Sequence, residues 1–205
     1  MWNSQVIIML LEGIRDTLYM TLASTLFGYI IGLPMGIVLT VTDKDGIRPN
    51  AAVYKVLDVI SNLLRSIPFI ILLIVLIPFT RFVVGRSYGS TATIVPLTIA
   101  AAPYIARMVE SSLKEVDAGV IEAARSMGAS DFQIVTKVML VEARTSLIVG
   151  ATISLGTILG YSAMAGTVGG GGLGDIAIRY GYTRWQTDIM IVTVVLLVIL
   201  FQIFQ

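Results

Sequence analysis

The 205-residue sequence contains no cysteine and no histidine. Those absences exclude disulfides, cysteine nucleophiles and the commonest zinc, haem and iron–sulfur ligands. Charge is scarce too: Asp, Glu, Lys and Arg make up 13% of the chain, against about 25% in ordinary soluble domains. A soluble fold so poor in charge would lack residues to cover its surface. The net charge of +1 provides no basic field for nucleic acid. No basic run precedes the first apolar stretch, which is accompanied by Glu12 and Asp16, so a cleaved signal peptide is not expected there.

What the chain has instead is apolar sequence, 56% of it. A spanning helix needs about 20 mostly apolar residues. Residues 17–42, 53–79, 90–108, 145–165 and 188–205 meet or approach that requirement. The expected fold class is therefore all-α, a polytopic membrane protein of about five transmembrane helices forming a single domain over 1–205. Residues 6–11 are too short to span; they lie on the membrane surface or lead into the first span, with Trp2 as an interfacial anchor. Pro34, Pro68, Pro78, Pro96 and Pro103 fall in or beside the spans. Each removes a helix hydrogen bond, a loss that neighbouring helices can make good in a membrane. Simple kinks explain each one singly, while their number points to irregular helices around a translocation path.

Loop charge sets the expected orientation. Eight Lys and Arg lie in the first-to-second and third-to-fourth loops: Lys44, Arg48, Lys55, Arg107, Lys114, Arg125, Lys137 and Arg144. Five lie on the other side, at Arg15, Arg81, Arg86, Arg179 and Arg184. The long third-to-fourth loop is accordingly expected in the cytoplasm, with the N-terminus outside and the C-terminus inside. A basic cytoplasmic tail is expected to follow Gln205.

That loop, about residues 110–142, differs from its surroundings. Asp117 is placed to cap a short helix running to about Met127, since Asp accepts bonds from the free amides of a first turn. Gly128 sits where a left-handed terminating residue is wanted. Ser130 and Gln133 form a capping box for a second helix. The first helix is expected to expose Val120, Ile121, Ala123, Ala124 and Met127, flanked by Glu122 and Arg125. Periodicity leaves two readings open: a helix fitting a groove on another protein, or one resting on the bilayer.

Glu122, Ala123 and Ala124 followed by Gly128 resemble the E-A-A-x-x-x-G signature of permease subunits of ATP-binding-cassette importers. In that family the signature forms a coupling helix that docks on a cytoplasmic ATPase. The family pattern continues to Leu-Pro; here Val138 precedes Leu140 and Val141, so valine replaces the proline. The departure lies in the second helix and leaves the docking helix intact.

The resemblance extends from about Gly13 to the end. Arg65 to Ile70 (RSIPFI) is similar to a second-span motif of amino-acid importers. Ile94 to Leu97, Ala101 to Arg107, and Gly160 to Met164 with the glycine run to Gly174 resemble methionine-uptake permeases. The resemblance implies a type I importer permease fold and uptake of L- and D-methionine across the bacterial inner membrane. It implies a homodimer, two ATP-binding subunits and an external methionine-binding protein, often a lipoprotein. ATP and magnesium would be used by the partner ATPase, with no cofactor or metal bound by this chain. A dimer also suits the helix count, because ten helices can build at a two-fold interface the path that five cannot.

Four residues are candidates for the path or its gate. Arg65 lies about 12 residues into the second apolar run, roughly 18 Å along a continuous helix, where a charge faces protein or water. It pairs with a substrate carboxylate or holds helix-end carbonyls. Met164, at the end of the fourth span, either plugs an outer gate in two copies or simply packs. Tyr161 and Ser162 are lesser candidates for lining. The run 169–172 with Gly174 lacks the Gly-Lys-Ser/Thr of a phosphate loop, so close backbone approach or a flexible outer loop is expected. Gly28, Gly32 and Gly36 recur every four residues, as at closely packed helix interfaces.

Three alternatives compete. The same permease role could serve another amino acid, peptide or organic anion. A gradient-driven transporter commonly carries acidic groups or histidine inside its spans, where this sequence offers essentially Arg65. A membrane hydrolase needs a nucleophile with a base, or a metal, and no histidine exists to serve.

Overall fold

The computed structural model describes residues 4–205, and Trp2 falls outside them. The described chain is helical throughout its regular elements. In order these are α1 (Ser4–Thr42), α2 (Ala51–Ser66), α3 (Phe69–Val75), α4 (Ile77–Val84), α5 (Ser90–Lys114), α6 (Ala118–Ser126) and α7 (Asp131–Gln133). A π-helical turn (Ile134–Met139) leads into α8 (Leu140–Glu142), and α9 (Arg144–Ala165) follows. After a 3-10 turn (Gly166–Val168) come α10 (Gly172–Ile176), a second π-helical turn (Ala177–Tyr182) and α11 (Thr187–Phe204). Among the described residues four helices are long and apolar enough to cross a membrane, or five if the bent pair α2 and α3 counts as one span.

The differences from expectation have local causes. Of the two expectations for residues 6–11, they lead into the first span as the start of α1, whose 39 residues extend about 58 Å, well beyond the roughly 30 Å hydrocarbon core. The second expected span is not one helix. It stops at Ser66, because Ile67 precedes a proline and is driven out of the helical region, and Pro68 then takes an extended backbone at the N-cap of α3. Pro34, Pro96 and Pro103 lie within continuous helices, and Pro78 sits in the first turn of α4, where its missing N–H costs nothing. The third span runs on to Lys114, so Arg107, Glu110 and Lys114 are helical and not loop residues.

The chain forms two compact units, to both of which α1, α5 and α9 contribute. Of the described residues, the first comprises 4–27, 67–100 and 155–205. Met20, Phe69, Leu73, Leu97 and Ala165 form one buried cluster there, and Leu10, Leu159, Leu173, Ile176, Ile189 and Leu200 another. Lipid tails are as apolar as leucine, so tight packing and hydrogen bonds hold such helices together. Thr17 shows both: its buried hydroxyl donates to the Gly13 carbonyl at 2.8 Å and accepts from the Leu173 amide at 2.9 Å, fixing α1 to α10. Within the glycine run, Gly170 and Gly174 allow close backbone approach, while Gly169 and Gly171 stand in the left-handed region with φ of +80° and +84°. A Cβ on Gly174 would fall on the Ala163 backbone, and one on Gly170 would stand 2.7 Å from the Ala165 carbonyl oxygen.

The second unit comprises residues 28–66 and 101–154. Gly28, Gly32 and Gly36 press α1 against α5, as their spacing indicates. A Cβ on Gly32 would lie 2.6 Å from the Ala102 carbonyl oxygen and 2.9 Å from Ile105 Cβ. A Cβ on Gly36 would lie 2.5 Å from the Ala106 oxygen. This unit carries the loop on which the functional reading turns.

Candidate functional site

The loop between α5 and α9 folds as its local chemistry dictates. Asp117 caps α6, its Oδ1 accepting from the Gly119 amide at 2.7 Å. Gly128 stands in the left-handed region with φ of +84°, which any other common residue reaches only at a cost of about 1–2 kcal/mol. That turn lets the Ala129 amide reach back to the Ala124 carbonyl at 3.1 Å. Ser130 and Gln133 close their capping box. We expect Asp117→Ala to lower stability by about 1 kcal/mol through the lost cap, with thermal melting of the purified chain as the check.

The faces of α6 differ from expectation in two positions. Val120, Ala123 and Met127 are exposed, with Glu122 beside them. Ala124 is buried and Ile121 partly so, because α6 packs on the π-helical turn Ile134–Met139. The free face ends in an apolar tip: Met127 is 82% and Phe132 76% exposed. Clefts of about 590 Å³ and 480 Å³ adjoin α6. The larger is lined by Asp43, Lys44, Ile47, Ile121, Glu122 and Arg125, the smaller by Glu115, Asp117, Val120, Glu142 and Ser146, among others. Arg125 fastens α6 to the α1–α2 loop by donating to the Ile47 carbonyl at 2.7 Å.

Next to this loop lies a polar cluster that pattern reading missed. Glu110, 4% exposed, accepts from Arg107 at 2.7 Å, Lys114 at 2.8 Å and the Tyr54 hydroxyl at 3.2 Å. Arg107 also binds Asp58, and Asn62 at 3.2 Å. Lys114 reaches Asp43 at 2.5 Å and stands over the Tyr54 ring, 5.7 Å from its centre. The Lys114 ammonium, through its hydrogen bond, holds the Asp43 carboxyl below its ordinary value. With the folded value depressed, the stabilisation is present above the ordinary carboxylate range and is lost as pH falls through the depressed one. As charges, Arg107 and Lys114 count in the sequence only toward loop orientation, and pairs 49 (Arg107–Asp58) or 56 (Tyr54–Glu110) residues apart leave no periodic trace.

Arg65 is exposed in the last turn of α2, just before the break at Pro68, and about 18 Å along that unbroken helix from Val53. Tyr161 is half-buried, its ring stacked on Phe69 with centres 4.7 Å apart. Ser162 is buried and donates to the Leu159 carbonyl of its own helix at 2.7 Å. Met164 is about half exposed at the end of α9. Among the described residues no group of three or more carboxylates is placed to hold a metal ion.

Residues 18–205 match the family described as binding-protein-dependent transport system inner membrane component. The chain is 49% identical over 197 residues to the probable D-methionine transport system permease protein MetI of Vibrio cholerae, covering 96% of this chain and 88% of that one. It is 54% identical over 158 residues to the D-methionine transport system permease protein MetI of Escherichia coli K12, covering 77% and 73%. Among solved structures, an inward-facing form of the MetNI methionine ABC transporter matches with a TM-score of 0.98 and 51% identity, over 100% of this chain and 94% of the other. An amino acid ABC transporter with histidines matches with a TM-score of 0.79 at 21% identity, covering 98% and 91%, a likeness of fold alone.

Proposed function

The chain belongs to the family of inner-membrane components of binding-protein-dependent transport systems, and from that premise we propose that it is the methionine permease of an ATP-driven importer. It is a transport subunit; ATP hydrolysis falls to a separate ATPase. The observation that carries the cargo is the likeness to methionine permeases at about half identity over most of the chain. In this reading residues 1–205 act as one permease domain in the bacterial inner membrane, with the N-terminus outside. Two copies assemble with two ATP-binding subunits and receive substrate from an external methionine-binding protein.

The mechanism is alternating access. ATP closes the two ATPase subunits, and α6 carries their motion through Glu122, Ala123, Ala124 and Gly128 into the spans. The two permeases rock outward, methionine enters from its binding protein, and hydrolysis restores the inward state. Support for α6 as the docking element is its form: a capped helix with a small, exposed face, fastened at its base by Arg125. Asp117 serves as its cap. Met164 and Tyr161 stand as gate and lining candidates, and Arg65 as a contact for substrate carboxylate or helix ends.

Cargo is tested by ATP turnover in the reconstituted complex. Binding protein loaded with L- or D-methionine should stimulate turnover severalfold, and the unloaded protein should not. Stimulation only by a different loaded amino acid would keep the importer class and move the cargo.

A further inference from the structure

We propose that Glu110 is a positioning residue of the transport cycle, locking α2, α5 and the α1–α2 loop to α6 so that movement of α6 reaches the spans. This rests on the importer reading above. A continuous series of polar contacts carries it. From α6, Arg125 grips the Ile47 carbonyl at 2.7 Å. The loop holding Ile47 is itself closed by backbone bonds from Gly46 to Asp43, Arg48 to Val41 and Asn50 to Thr42, at 2.9, 3.0 and 2.9 Å. Asp43 is paired with Lys114 at 2.5 Å, Lys114 with Glu110 at 2.8 Å, and Glu110 with Arg107 at 2.7 Å. Arg107 ends the series on α2, at Asp58 and Asn62.

Glu110 is the junction. It is buried, and it bonds Arg107, Lys114 and Tyr54 together. Apolar residues of similar volume would stabilise a helix contact as well as such a cluster or better, so stability alone gives no reason for charges here. What charge-assisted bonds add is fixed direction and register. Apolar surfaces can slide past one another, while this cluster moves as a unit or breaks. Without it, displacement of α6 would be absorbed in the loop 43–50 instead of reaching α2 and α5.

The test uses the full complex of permease, ATPase and binding protein in proteoliposomes, with methionine uptake and ATP hydrolysis measured together. Glu110→Gln keeps size and one acceptor and removes the charge. ATPase subunits should still co-purify and hydrolyse ATP, while methionine carried per ATP falls at least about fivefold, the scale of a modest coupling energy. Glu110→Asp, which keeps the charge, should recover most of that ratio. Lys114→Met, at the rim of the cluster, should lower it in the same direction and decides the matter if Glu110→Gln fails to assemble. An unchanged ratio in the assembled variants, even with reduced yield or melting temperature, would reduce the cluster to a structural role and overturn the proposal. A wild-type complex that carries no methionine on ATP would overturn the functional reading and this inference with it.

Discussion

Gly32→Leu is expected to abolish recovery of folded chain from membranes, and Gly32→Ala to lower its melting temperature by roughly 5 °C. The reason is distance. A Cβ at this position stands 2.6 Å from the Ala102 carbonyl oxygen and 2.9 Å from two Ile105 side-chain carbons. A backbone oxygen cannot turn aside as a side chain can, so α1 and α5 must separate. Overpacking of this kind costs about 1–3 kcal/mol for a small excess, and each kcal/mol lowers melting by roughly 2–4 °C in a chain of this size. Leucine adds three further carbons at the same seam. Gly150 in α9 is the control, because its Cβ would meet Met108 at an ordinary 3.5 Å. Gly150→Ala should melt at or slightly above the native temperature, as alanine favours helix by about 1 kcal/mol over glycine. Size-exclusion recovery after stepwise heating measures all three.

Ala123→Arg is expected to eliminate ATP-dependent uptake while leaving the permease folded. Ala123 is exposed on α6, so the new side chain has room in the isolated chain and its melting should be native. A bulky cation in the centre of a docking face is another matter. Loss of one central contact costs at least about 2 kcal/mol, near thirtyfold in affinity, and the desolvated charge adds to it. Co-purification of the ATPase subunit should fall to background along with uptake. Native levels of both would remove α6 from the docking face and return it to the bilayer surface.

The contrast between these residues shows what is legible in sequence. The loop around α6 could be read almost residue by residue: the Asp117 cap, the left-handed Gly128 and the Ser130–Gln133 box all form. Each depends on groups within four residues, so local rules suffice. The glycine stripe in α1 was legible too, because small residues at a fixed spacing have few other uses in a membrane helix. Prolines were ambiguous. Pro68 ends a helix while Pro34, Pro96 and Pro103 do not, so a proline alone does not mark a helix end. The burial of Ala124 and Ser162 depends on what packs against them, as do the two π-helical turns. Least legible was the cluster around Glu110. Its members come from α2, α5 and the α1–α2 loop, and each alone looks like ordinary loop or surface charge.

The central claim is ATP-driven import of methionine, and uptake into proteoliposomes tests it most directly. The vesicles would hold this permease with its ATPase, ATP inside, ion gradients collapsed and loaded binding protein outside. Accumulation of methionine that requires both ATP and the binding protein is the predicted result. Accumulation driven by an imposed ion gradient without ATP would contradict the account.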